Sequence, residues 1–258
     1  MQLLRDKFVI QAGSIMEKDV FGKALQEYQN GISTEDITTY LLLPGFNRPI
    51  KDTFPLAYLF RSFNEMPELE KKALGLCWGK VLDVGCGAGS HSLVLQEQGI
   101  DVTALDSSGG AIQTCRRRGL RKVVHSDIMD YHGTKFDTLL LLMNGLGMAG
   151  CLQDLDGFLD RLKSLLNAKG QVLLDSSDIK YMYHNDEDST FHIPGGAPYY
   201  GEGRFVMEYQ GEKSREFPWL YLDYARLEEA AAGRGMKSEL VSQGDHYDYL
   251  ARLSLEEY

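Results

Sequence analysis

The residues best placed to do chemistry lie between Lys80 and Gly89, where an apolar run closes on Asp83 and turns through Gly85-Cys86-Gly87-Ala88-Gly89 into helical sequence. Glycines at such a turn permit positive φ and let backbone approach a ligand, while the helix that follows offers unpaired N–H groups. That is a site for a nucleotide-like cofactor. The spacing narrows the choice, because a dinucleotide fingerprint (G-x-G-x-x-G) needs glycine or alanine where Ser90 stands, and a P-loop needs a closing Gly-Lys-Ser/Thr that is missing. A cofactor without a pyrophosphate remains. Asp83 could also serve only to tie down the turn through backbone N–H groups.

Three more segments follow in order. Ile100 to Asp106 reads as a second strand closing on an acid 23 residues after Asp83, Val123 to Ile128 as a third strand with Asp127 at its turn, and Phe136 to Met143 as a fourth ending at Asn144-Gly145-Leu146-Gly147. A carboxylate at Asp106 suits two vicinal hydroxyls, since it only accepts. Asp127 alone would equally suit a helix cap. Together the four motifs resemble those of the class I S-adenosylmethionine-dependent methyltransferases. The resemblance implies S-adenosyl-L-methionine as cofactor and assigns Asp83, Gly85, Cys86, Gly87 and Gly89 to the first cofactor turn. It gives Asp106 and Ser107 to the ribose, Asp127 to the adenine amino group and Ile128 to the ring face. Met143 and Asn144 fall where donor meets acceptor, Asn144 being the candidate for orienting the acceptor. A nicotinamide oxidoreductase would share the sheet but not the glycine spacing. A SAM-binding protein without catalysis would keep every cofactor motif.

Alternation of strand-like and helix-like segments from Gly79 to Asp178 predicts an α/β fold, a seven-stranded, mostly parallel Rossmann-like sheet with helices on both faces and ligands at the carboxyl ends of the strands. A helix over Leu152 to Leu166, an exit at Asn167 to Gly170 and a fifth strand over Gln171 to Asp175 extend it. A helix over Tyr224 to Ala232 and strands over Ser238 to Ser242 and Tyr247 to Ser254 complete it, and the resemblance places an antiparallel edge in that last pair. The division expected is residues 1–78 as a helical N-terminal cap and 79–258 as the cofactor domain, with a lid-like loop and hairpin inserted over 181–222. Met16 to Gln29, a stretch after the cap signal Ser33 to Asp36, Pro55 to Arg61 and Pro67 to Leu76 supply the cap's helices. Tyr40, Tyr58 and Arg61 are the cap residues proposed to touch cofactor or substrate. Arg204 to Tyr209 and Phe217 to Leu222 flank a Gly211 turn and predict the hairpin.

With 258 residues, 43% of them hydrophobic, the chain can bury a sizeable core, and its formal charge of −10 disfavours nucleic acid, whose binding rests on Lys and Arg. No stretch approaches the roughly 20 apolar residues that span a bilayer, and the first residues lack a signal-peptide core. A cytoplasmic, membrane-free protein is expected. Cys77, Cys86, Cys115 and Cys151 form no C-x-x-C pair and read as free thiols. Arg116 to Arg118 reads as a solvated helix end. No metal is assigned, although His184, Asp186, Asp188 and His192 carry ligand chemistry. The Asn144 motif lacks the double proline and aromatic of the base- and amide-methylating enzymes, which favours a small molecule as acceptor and a protein side chain second. His184, His192 or a loop tyrosine could act as base, with Tyr58, His184 and His192 as substrate candidates. Oligomeric state is not legible.

Overall fold

The computed structural model describes residues 18–185, 190–193 and 199–255. Its central sheet contains β3 (Lys80–Val84), β4 (Asp101–Asp106), β5 (Val123–His125), β6 (Phe136–Leu141), β7 (Leu166–Ser177), β13 (Met236–Gln243) and β14 (Asp248–Leu255). They run in the order β13-β14-β7-β6-β3-β4-β5, parallel except for β14, which is antiparallel to both neighbours. The antiparallel strand is therefore internal, and β13 forms the edge. Strand periodicity explains the two cores. Leu82, Leu139, Leu141, Val172 and Leu174 point to one face, against α6 (Leu152–Ser164) and α7 (Tyr224–Gly233). Val81, Leu140, Leu142 and Leu173 point to the other, against α3 (Glu68–Leu76) and α4 (Ser90–Glu97). A sheet covered on both faces needs apolar residues in runs rather than in alternation, which is the pattern of β6.

The N-terminal segment is not purely helical. It holds α1 (Val20–Gln29) and the short α2 (Leu56–Leu59), but β1 (Ile37–Leu42) and β2 (Ile50–Phe54) lie between them. They join β10 (Glu202–Tyr209), β11 (Glu212–Lys213) and β12 (Phe217–Leu220) in a second, antiparallel sheet of order β11-β10-β1-β2, with β12 paired to β10. The expected hairpin is present, with Phe205 opposite Phe217, and β1 pairs with it across the chain, Leu41 opposite Phe205. Strand β1 pairs on one side with β2, across a short turn, and on the other with β10, more than 160 residues away, and that second pairing joins the N-terminal segment to the hairpin. Its face bearing Ile37 packs on Val20, Ala24 and Leu25 of α1 and on Leu56. The segment after β7 is also more ordered than a plain loop, with a 3-10 turn over Ile179–Tyr183 and a two-residue hairpin, β8 (His184–Asn185) and β9 (Thr190–Phe191). Met16, Glu17, Asp186, Glu187 and Asp188 lie outside the described residues.

Candidate functional site

All four motifs gather at the carboxyl ends of β3 to β6. Gly85, Gly87 and Gly89 adopt φ of 71°, 53° and 82°, a left-handed run that any side chain would strain. A Cβ on Gly89 would lie 2.6 Å from Leu120 and 2.9 Å from the Cys115 sulfur, so that glycine is also fixed by crowding under α5 (Gly109–Arg117). Gly85 is exposed at the turn, whereas Cys86 and Gly87 are buried. Asp83 is buried and accepts from the Ser92 hydroxyl at 2.6 Å, tying the strand end to α4. Asp106 accepts from Gly87 N and Ser108 N, both at 2.8 Å, so the ribose candidate also clamps the glycine turn to the start of α5. Burial, outweighing those two donors, raises its carboxyl to about 6. Ser107 is exposed beside it and gives its carbonyl to His125 at 3.0 Å.

Above this turn lies α1. Its N-cap Asp19 accepts from Gly22 N at 2.8 Å, from Gly110 N at 2.9 Å and from the Ser108 hydroxyl, capping α1 and α5 with one carboxylate. The two helices touch backbone to backbone, since a Cβ on Gly110 would sit 2.4 Å from the Gly22 carbonyl carbon. Phe21 then stands over Gly87. At β5, Asp127 is exposed and accepts from Met129 N at 2.8 Å, while Ile128 is buried in the main core beside Leu105 and Phe136.

The fourth motif carries the strain. Met143 and Asn144 both adopt left-handed backbone, φ 66° and 58°, which costs a non-glycine residue about 1–3 kcal/mol. Asp175 at the end of β7 holds the bend, accepting from Met143 N at 3.0 Å and Gly145 N at 2.9 Å. Burial, opposed by the backbone N–H groups of Gly145 and Asn144, raises this carboxyl too to about 6. The Asn144 side chain accepts from Ser176 Oγ at 3.1 Å and donates to the Leu220 carbonyl at 3.3 Å, clipping β12 onto the strand ends. Trp219 lies over the following 3-10 turn, where a Cβ on Gly147 would meet its indole at 2.2 Å.

The cap residues divide. Arg61 is buried, its guanidinium 3.9 Å above the Tyr58 ring and 3.8 Å from the Met143 sulfur, donating to the Tyr58 carbonyl and to Glu70. Glu70 also meets His91 Nε2 at 2.7 Å; burial raises this carboxyl, but the bonds from His91 and Arg61 prevail and its pKa is lowered. Arg61 Nε is buried without a partner. Tyr58 is 37% exposed, beside the bend. Tyr40 turns the other way, bonding Glu208 at 3.0 Å on the sheet face opposite Ile37 and Leu41, so it is not brought to the motifs. His184 and His192 sit exposed on the small hairpin after β7, His184 on the Phe191 ring and His192 donating its N–H to the Tyr183 carbonyl. Arg118 departs from the solvated-end expectation: it is half-buried, donates to the Ala88 carbonyl at 2.7 Å and Ser90 Oγ at 3.0 Å, and stacks on Phe60. Sequence reasoning also missed Asp19, Glu70, His91 and Asp175, each in a helical or strand pattern with no local mark of its task.

A seven-stranded sheet in this order, with left-handed glycines after its first strand and a clamping acid after its second, defines the class I methyltransferase architecture. A methyltransferase-domain family model matches residues 81–170. A SAM-dependent methyltransferase from Bacteroides fragilis, solved in complex with S-adenosyl-L-homocysteine, is 36% identical over 93% of this chain and 96% of its own, with a TM-score of 0.84. The CcbJ methyltransferase of Streptomyces caelestis shares the fold at 14% identity and a TM-score of 0.57, over 76% of this chain and 95% of its own. A ubiquinone biosynthesis O-methyltransferase of Pasteurella multocida is 41% identical over 59 residues, 23% of this chain and 24% of that enzyme, so the match spans about a quarter of that enzyme's length. The chain belongs to the S-adenosylmethionine-dependent methyltransferases.

Proposed function

We propose that this chain transfers the sulfonium methyl of S-adenosylmethionine to a small-molecule acceptor. The observation that carries the reading is the alignment of the left-handed glycine turn, Asp106 and the strained Met143–Asn144 bend along adjacent strand ends, β4, β3 and β6. The residues present fit the cofactor: Gly85 is exposed at the turn with left-handed backbone, and Arg61 Nε is a buried donor without an acceptor. Asp106 and Ser107 would hold the ribose, Asp127 the adenine amino group with Ile128 beneath the ring, and Arg61 the amino-acid end, with Asp83 and Cys86 shaping the turn. When bound, S-adenosylmethionine supplies an activated methyl group for in-line displacement. The chain's part is to orient and to exclude water.

The acceptor reading rests on aromatic rings. Phe205 stacks on Phe217 at 6.0 Å and meets Trp219 edge-on at 6.3 Å, on the sheet face that carries Leu41. Tyr181 and Tyr247, both exposed, stack at 4.9 Å beyond the end of β7. Such rings suit an apolar or ring-bearing metabolite. Asn144 has its amide engaged with β12, so its contribution to the acceptor goes through placing Trp219 and the bend, with Tyr58 nearer the open side. His184 and His192 are the proton acceptors this reading retains for a hydroxyl or ammonium substrate. Four free cysteines suit the reducing cytoplasm. No helix among the described residues is long and apolar enough to cross a membrane.

Thermal unfolding tests the reading. A ligand that binds only the folded state at 100 times its dissociation constant stabilises by about 2.7 kcal/mol. S-adenosylhomocysteine is expected to raise Tm, NAD to leave it unchanged, and Asp106→Asn to weaken the shift. A shift with NAD alone would defeat the proposal.

A further inference from the structure

Arg61, Glu70 and His91 form a buried charged cluster that the glycine motifs do not need. Their exposures are 6%, 4% and 7%, and they come from three elements: the turn after α2, the first turn of α3, and the second residue of α4. Buried ion pairs are weak sources of stability, because desolvation offsets the attraction. This cluster is better understood by what it does to one side chain.

A guanidinium has five N–H donors in a fixed fork. Here Nη1 is held by the Tyr58 carbonyl, Nη2 by Glu70 Oε2, and the plane by the Tyr58 ring, with Met143 Sδ at 3.8 Å from Nη1. Nε is left buried and unpaired, and a charged donor in that state carries a desolvation penalty that a ligand atom would remove. Glu70 is in turn fixed from behind by His91 Nε2 at 2.7 Å, on the helix that follows the cofactor turn.

The place of that free donor identifies its partner. Asp106 ends β4, Gly85 follows β3 and Met143 follows β6, three adjacent strands in that order. A nucleoside held by Asp106 therefore presents its 5′ substituent toward β6, where Arg61 stands, and the anionic group of that substituent is the homocysteine carboxylate. We propose that Glu70 is a positioning residue that, braced by His91, locks the Arg61 guanidinium so that Nε is delivered to the cofactor's carboxylate. This makes α3 part of cofactor recognition and lets the site distinguish the amino-acid-bearing nucleoside from its truncated form. The inference rests on the methyltransferase reading above.

The test compares two probes by calorimetry on the full chain: S-adenosylhomocysteine, and 5′-methylthioadenosine, which keeps the nucleoside and thioether but lacks the amino-acid group. Arg61→Gln and Glu70→Gln are expected to weaken S-adenosylhomocysteine by about 10- to 100-fold, the range of a charge-assisted bond, and methylthioadenosine by less than about twofold. His91→Asn should produce the same selectivity to a smaller degree, and it serves if the Glu70 variant does not fold. Parallel losses for both probes in Glu70→Gln and His91→Asn would reduce the cluster to a structural role and overturn the inference, while leaving the methyltransferase reading intact. Failure of the unaltered protein to bind either probe would instead defeat that reading.

Discussion

At the scale of single residues, the clamp that Asp106 forms on the glycine turn and the ribose role proposed for it would respond in opposite directions to pH. Burial raises its carboxyl from 3.8 to about 6, so the folded apoprotein holds this proton more tightly than the unfolded chain does. A raised carboxyl contributes stability that is fully present below the unfolded value and is lost as pH rises through the folded one. The Tm advantage of the apoprotein over Asp106→Asn should therefore shrink between pH 4 and 6, and Asp175, raised to the same value, and Asp83, also raised by burial, act in the same direction. Cofactor binding runs the other way, because the ionised form accepts best from ribose hydroxyls. The dissociation constant of S-adenosylhomocysteine is expected to rise as pH falls below about 6, up to tenfold per unit in the limit that only the carboxylate binds. Titration calorimetry from pH 5 to about 8 measures it, and a flat profile in the unaltered protein would remove Asp106 from the ribose. Gly89 gives a second residue-scale prediction. Gly89→Ala must hold φ 82° and place its Cβ against Leu120 and Cys115, so denaturant unfolding should show a loss of about 1–3 kcal/mol.

Elements divide by how their information is carried. The glycine turn, Asp106, Asp127 and the strand ends are legible in sequence because each is a short local pattern, and the continuous apolar runs of β6 and β7 mark strands covered on both faces. What stays hidden is non-local. The pairing of β1 with β10, Thr39 against Met207 and Leu41 against Phe205, joins segments more than 160 residues apart and leaves no local mark, although β2 pairs with β1 close by in sequence. Arg118 looks like a helix-end cation until α5 is docked so that its guanidinium reaches Ala88 and Ser90. Glu70 is one of two acids in the first turn of α3, and only its burial marks it. The same reasoning recasts Asn144, whose position was legible and whose bonds were not. Its amide ties β12 to the methyltransferase sheet, as does Ser176 through the Leu222 N–H at 3.0 Å. Asn144→Ala removes both amide bonds and forces alanine into a left-handed backbone that asparagine tolerates better. Hydrogen exchange should accelerate at Leu220 and Leu222, with the amides of β3 unchanged. Equal acceleration in both would mean general loosening rather than release of a clip.

For the whole molecule, the consequence of these links is that the second sheet and the cap are joined to the cofactor turn by contacts that a bound nucleoside would tighten. α1 meets β10 through Tyr209, whose hydroxyl donates to Glu27 at 2.9 Å, and the other end of α1 meets the start of α5 through Asp19 and the glycine turn through Phe21. α3 meets α4 through Glu70 and His91. Two separate segments of the cap thus rest on the residues that would surround the ligand, one over Gly87 and one at Met143. If those segments close on the ligand as a unit, S-adenosylhomocysteine should slow amide exchange in α1 and at Arg61 as well as in residues 85–90, because opening the cap would then require ligand release or lost contacts. On the proposed roles, methylthioadenosine would reach Asp106 and the glycine turn but offer nothing to Arg61, so it should protect α1 and the turn and leave Arg61 near its unliganded rate. Protection confined to the glycine turn with both ligands would show that the cap stands apart from binding, and that its buried charges serve the fold alone.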